Sequence, residues 1–153
     1  MTFKYQSVLT IAGSDSGGGA GIQADIKTIS ALGCFAACAI TAVTVQDTIG
    51  VTGIHSVPAE IVRDQIKAVM NDIAPDVIKI GMINTKELAI IIAETLRQYP
   101  AVTVIFDPVM VAASGDVLIE ADTVAMLKQN LFPLAGVVTP NLDEAAILSG
   151  MTI

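Results

Sequence analysis

Short runs of β-branched and other apolar residues alternate along this chain with longer segments whose apolar positions recur every three or four residues. The first kind reads as buried strands and the second as amphipathic helices. The pattern predicts strands over 7–12 and 35–45, an extended piece near 53–57, and strands over 77–81, 102–107 and 136–139. Helices are predicted over 21–32, 58–73, 85–98, 121–131 and 141–149, with Gly33, Gly81, Pro100, Pro108, Pro133 and Pro140 at the junctions. In segment 58–73, Ile61, Val62, Gln65, Ile66, Val69, Met70 and Ile73 share one side and Arg63, Asp64, Lys67 and Asp72 the other, so this helix covers a sheet face. Repeated strand–helix units with right-handed crossovers give an α/β fold: one mostly parallel central sheet covered on both faces, with ligands at the carboxyl ends of the strands. No internal repeat or linker divides the chain, and residues 1–153 read as a single domain.

The first of those strand ends is the most informative. The run Val8 to Ala12 enters a cluster of Gly13, Gly17, Gly18, Gly19 and Gly21 and opens at once into a helical pattern. A turn needs one or two glycines. Five within nine residues, ahead of a helix N-terminus with its free N–H groups, predict a place where a ligand approaches the main chain.

Composition narrows the function. With 53% hydrophobic and 15% charged residues and a mean hydropathy of +0.69, the chain suits strands buried on both faces. No apolar stretch approaches the roughly 20 residues a bilayer span requires. Only Lys4 precedes the first apolar run, which leads into glycines rather than a cleavage site, so no secretory leader is expected and the cytoplasm is the expected location. A net charge of −7, with eight scattered basic residues, argues against a nucleic-acid surface. Cys34 and Cys38, four apart in a predicted strand, would lie roughly 13 Å from one another and are read as reduced core thiols rather than a disulfide. One histidine and two cysteines do not make a zinc site.

The other predicted strand ends collect polar residues. Asp25, a little over one turn beyond Gly21, faces either back across the glycine loop or out to solvent. Gln46 offers a donor and an acceptor to a heterocycle edge, or else satisfies its own loop. Met82 after Gly81 covers a flat ring or joins the core, as Met70 and Met126 are expected to. Asp107 before Pro108 is either a magnesium ligand or a strand stop. Asn141 and Glu144 have the spacing of a capping box, which on the residues alone is preferred to phosphate or metal binding. Val111 to Asp116 is small and polar enough for a lid, and equally for an ordinary loop.

Taken in order, Thr10 to Asp15, Gly19 to Asp25, Lys79 to Met82, Asp107 to Met110, and Thr139 to Asn141 with Glu144 closely resemble the bacterial hydroxymethylpyrimidine/phosphomethylpyrimidine kinases of thiamine biosynthesis. The resemblance implies a ribokinase-like three-layer α/β/α fold and transfer of phosphate from ATP, with magnesium, to 4-amino-5-hydroxymethyl-2-methylpyrimidine and then to its monophosphate. It also implies that Asp25 and Gln46 bond the aminopyrimidine, that Met82 packs on its ring, and that Gly13 and Ala20 line the pocket. Asn141 and Glu144 would lie near phosphate and magnesium, with Asp107 supporting the metal. Pyridoxal kinases of the same superfamily commonly carry Met where this chain has Gln46, which favours the pyrimidine. A homodimer is the family's usual state.

Members of that family continue into a Lys-Gly-Gly strand and a Gly-Thr-Gly-Cys segment that forms the anion hole, and neither occurs in these 153 residues. The resemblance therefore implies the N-terminal portion of such a kinase, an incomplete domain that holds the substrate pocket but no catalytic residue. A non-catalytic pyrimidine-binding module is the alternative reading, and a pyridoxal kinase another.

Overall fold

A computed structural model describes residues 5–110, 118–119 and 122–151. Six strands, β1 (Ser7–Ser14), β2 (Phe35–Gln46), β3 (Val51–Ser56), β4 (Val77–Ile80), β5 (Thr103–Phe106) and β6 (Val137–Val138), form one sheet in the order β3-β2-β1-β4-β5-β6. All neighbours are parallel except β2 and β3. The extended piece read near 53–57 is thus an antiparallel hairpin arm. Its turn is tied by Asp47, whose N–H donates to the Gly50 carbonyl and whose Oδ1 accepts the N–H groups of Ile49 and Gly50.

Helices α1 (Gly21–Ala31), α2 (Ala59–Asp72), α3 (Lys86–Leu96) and α5 (Leu142–Ser149) lie within two residues of the bounds read from periodicity. Segment 121–131 differs. Its described part has one α-helical turn, α4 (Thr123–Met126), followed by a π turn (Leu127–Leu131) and a 3-10 turn (Phe132–Leu134). The wider turn leaves Leu127 and Leu131 both buried, and Pro133 cannot donate to continue a helix.

Alternation along the strands sorts the two faces. Leu9, Ile11, Ile78, Ile80, Val104 and Phe106 point to one side and form a single cluster with Val62 and Ile66 of α2, Leu88 and Ile92 of α3, and Leu127 and Leu131. Each such buried aliphatic side chain contributes about 1.5–3 kcal/mol. Phe132 closes the cluster edge-to-face on Phe106, with ring centroids 5.6 Å apart. Thr10 and Lys79 point to the opposite side, where α1 packs on β1 and β2.

Two sequence expectations need correction. Ile61 is half exposed, and Gln65 is a backbone mimic, accepting from Ile40 N–H at 2.9 Å and donating to the Ile40 carbonyl at 3.3 Å on the free edge of β2. The cysteines are free, but neither is in the core: Cys34 precedes β2 and both are half-buried, because the outer strands of the sheet are less covered than its centre. Burial still raises the Cys38 thiol above its ordinary pKa.

The chain leaves β1 for β2 and β3 on one side, then returns to place β4 on the other. That reversal opens a crevice at the carboxyl ends of β1 and β4. The register between β1 and β2 slips between Ala12 and Ser14: two steps along β1 face three along β2, so β2 carries the extra residue of a bulge opposite Gly13.

Candidate functional site

The glycine loop is organised by its own carboxylate. Asp15 is 5% exposed, and it accepts the N–H of Gly17 at Oδ1 (2.7 Å) and those of Gly19 and Ala20 at Oδ2 (2.8 Å each). Gln23 reaches back from α1 to accept the Asp15 N–H at 2.8 Å and to donate to the Ser14 hydroxyl. The sequence suggested N–H groups open to a ligand. In the fold, three of them already hold an anion, so the loop is a rigid wall rather than a phosphate cradle. Gly21 is required here: its φ is +55°, and a side chain would strike the Gly13 carbonyl oxygen.

Against this wall lies a cavity of about 360 Å³, large enough for a single-ring ligand. The structure brings Gly13, Ala20, Asp25, Gln46, Met82 and Asp107 together in its lining, with Ala12, Thr44, Lys79, Val109 and Leu118. Asn141 and Glu144 do not line it. The stretch Val111 to Asp116, read as a lid or loop, lies outside the described residues.

Asp25 turns inward from α1. Its Oδ2 accepts from the fully buried Thr10 hydroxyl at 2.6 Å and from Lys79 Nζ at 3.1 Å. Among the described residues no donor reaches Oδ1. Lys79 comes from the middle of the sheet and also lies 3.6 Å from Asp107 Oδ2, at the end of β5. The Lys79 and Asp25 side chains are only 23% and 19% exposed, which sets this pair apart from the solvated surface pairs Arg63–Asp64 and Lys86–Asp122. Lys79 is the one cation among the described residues of the lining.

The remaining walls combine a side-chain amide with a thioether. Gln46 Oε1 lies 3.1 Å from the Thr44 hydroxyl, which is also 2.8 Å from the Ser14 carbonyl, and no described residue engages Gln46 Nε2. Met82 is 6% exposed; its carbonyl accepts from Thr41, and its methyl occupies the space that a side chain at Gly13 would need. Gly13 is therefore small so that the Met82 thioether can lie along the pocket.

Asn141 and Glu144 form the capping box that their spacing allows. Asn141 Oδ1 accepts Glu144 N–H at 2.8 Å, and Glu144 Oε2 accepts Asn141 N–H at 2.9 Å. Glu144 Oε1 accepts Met110 N–H at 3.3 Å, so this buried carboxylate also ties the segment after β5 to the start of α5. No cluster of three metal-ligating side chains occurs among the described residues. Asp107 fits magnesium, which keeps several waters and takes one or two carboxylates, because its side chain is 36% exposed at the pocket rim. Both Glu144 oxygens already serve backbone amides.

Sequence reasoning singled out neither Lys79 nor Asp15 by role. The signal for Lys79 was a lone charge within the apolar run Val77 to Ile80, where a buried ammonium needs partners. No helix among the described residues is long and apolar enough to cross a membrane.

Solved kinases superpose on nearly the whole chain. Phosphomethylpyrimidine kinase from Clostridium difficile 630 matches with a TM-score of 0.90 and 44% identity, covering 98% of this chain and 64% of that one. Pyridoxal kinase from Staphylococcus aureus matches with a TM-score of 0.83 and 36% identity, covering 97% and 53%. The fold is that of the ribokinase-like kinases, with the crevice where such α/β sheets take their ligands. At the sequence level, the family described as phosphomethylpyrimidine kinase matches residues 15–153. Hydroxymethylpyrimidine/phosphomethylpyrimidine kinase from Rhizobium meliloti (strain 1021) is 55% identical over 145 residues, which are 95% of this chain and 54% of that protein. This chain belongs to the phosphomethylpyrimidine kinase family, and it spans about half the length of that relative.

Proposed function

We propose that a protein carrying this chain transfers phosphate from ATP, with magnesium, to 4-amino-5-hydroxymethyl-2-methylpyrimidine and then to its monophosphate, and that residues 1–153 supply the pyrimidine pocket. One observation carries the reading: Asp25 is held through one oxygen and offers the other to a cavity that also presents the Gln46 amide and the Met82 thioether. An aminopyrimidine edge carries an amine donor beside a ring-nitrogen acceptor. A carboxylate oxygen paired with a side-chain amide complements that edge.

Phosphoryl transfer rests on placing the attacking hydroxyl in line with the γ-phosphorus and on stabilising the charge spread over the transferred oxygens. In the first transfer the hydroxymethyl oxygen forms the new bond to phosphorus, the bond to ADP breaks, and the hydroxyl proton is released; in the second a phosphate oxygen of the monophosphate forms the new bond as the bond to ADP breaks. Residues of this chain contribute the first part by orienting the pyrimidine ring. Asp107 is the residue that would hold magnesium, which when bound offsets charge on the phosphates. Asn141 and Glu144 keep the segment after β5 and the start of α5 in place beside it.

Incubating the protein with ATP, magnesium and either hydroxymethylpyrimidine or pyridoxal, and resolving the products by mass spectrometry, tests the reading. The pyrimidine mono- and diphosphate are expected. Phosphorylation of pyridoxal without that of the pyrimidine would overturn it.

A further inference from the structure

Lys79 is an uncommon feature of this sheet, an ammonium in a central strand with its side chain mostly out of water. It lies beside Thr10 in the parallel register of β1 and β4, and both side chains stand on the face covered by α1. Their two donors converge on the same oxygen of Asp25, at 2.6 Å from Thr10 and 3.1 Å from Lys79. Two donors satisfy that oxygen and fix the plane of the carboxylate, so Oδ1 is left as a single acceptor toward the pocket. The position of the ammonium is itself prepared. A side chain at Gly81 would place its Cβ 3.0 Å from Lys79 Nζ and 3.0 Å from Ala12 Cβ, so the glycine leaves the passage through which Lys79 reaches Asp25.

We infer that Lys79 is a positioning residue for pyrimidine recognition: with Thr10 it clamps Asp25 so that one fixed acceptor faces the ligand amine. The inference rests on the pyrimidine reading above. Without Lys79, Asp25 keeps only the Thr10 bond and loses the cation that separates it from Asp107. The two carboxylates then repel, and the plane of the Asp25 carboxylate is no longer fixed by two donors. A lysine needed only for neutralising the sheet interior would act on stability and not through Asp25.

A double-mutant cycle separates these roles. Calorimetric titration with hydroxymethylpyrimidine would be run on the protein and on K79M, K79R, D25N and K79M/D25N, each checked by thermal denaturation and by ATP titration. Lys79 acting through Asp25 predicts that K79M weakens pyrimidine binding about tenfold or more, the loss that accompanies one hydrogen bond to a charged group. It predicts that K79R recovers part of the loss, that affinity for ATP titrated without magnesium stays the same, and that K79M/D25N binds no more weakly than D25N alone. Losses that multiply in the double variant, or K79M binding at full strength, would overturn the inference while leaving the pyrimidine reading intact. Failure of the unmodified protein to bind the pyrimidine would overturn both. Should K79M not fold, G81A retains both charges and crowds the ammonium, and it must weaken binding in the same way, without further loss in a D25N background.

Discussion

Replacing Glu144 by glutamine exchanges one carboxylate oxygen for an NH₂ group and tests what that buried carboxylate does. Its oxygens accept Asn141 N–H at 2.9 Å and Met110 N–H at 3.3 Å. A glutamine has one acceptor oxygen, so in either orientation its NH₂ faces one of those N–H groups and that backbone donor is stranded. Losing one hydrogen bond to a charged acceptor costs about 1.5–3 kcal/mol. A domain of ordinary stability has about 5–15 kcal/mol in total. With a urea dependence of about 1–3 kcal/mol per molar, the unfolding midpoint should fall by about 1 M. Hydrogen exchange locates the damage: the amide of Met110 or of Asn141 should exchange about tenfold faster or more, while amides in β1 and β4 slow and quicken only with global stability. An unmoved midpoint with both amides still protected would refute the reasoning. Magnesium titration of the same variant separates a further role. A raised magnesium requirement would add metal support to the cap, and an unchanged one with reduced stability would leave Glu144 as the cap alone.

Three further outcomes follow from the glycine loop and the hairpin. Gly21→Ala combines a positive φ with a side chain driven onto the Gly13 carbonyl, at a cost of at least about 1–3 kcal/mol, and a thermal midpoint within about 2 °C of the unmodified protein would contradict this. Gly13→Ala brings a Cβ to 2.6 Å from the methyl at the far end of the Met82 side chain, which has other rotamers to move into, so stability should hardly change while pyrimidine affinity falls; unchanged affinity would separate Met82 from the pocket's function. The N–H groups of Ile49 and Gly50 hold the Asp47 carboxyl below its ordinary value of 3.8, so its support of the hairpin is full above that value and fades as pH falls through the lowered one. Amide shifts of Ile49 and Gly50 should therefore titrate with a midpoint below 3.8, and a midpoint at or above it would contradict the bond pattern.

Much of the fold was legible because the strands are short apolar runs and most helices are strongly periodic. Proline and glycine at the junctions placed the ends within two residues. The hairpin pairing of β3 was not legible, since Val51 to Ser56 carries little alternation and its partner is set by the Asp47 turn. Nor was the π turn at Leu127, which keeps the apolar spacing of an α-helix while changing its winding. At the rim, position near a strand end or, for Asp25, on the helix after the glycine loop marked Asp25, Gln46, Met82 and Asp107 as candidates, the family resemblance favoured their ligand-facing reading, and the fold gathers them around one cavity. The partners were hidden. Nothing local in the sequence says that Lys79 reaches Asp25, 54 positions away, or that Asp15 turns back into its own loop and takes the N–H groups expected to meet a ligand. Such pairings depend on the crossing of elements distant in the chain.

The most direct test of the account is a crystal structure of the protein with hydroxymethylpyrimidine. The account predicts the ring in the crevice between β1 and β4, its amine on the free oxygen of Asp25 and its face against Met82. A ring bound elsewhere, or bound there with its amine turned away from Asp25, would contradict it.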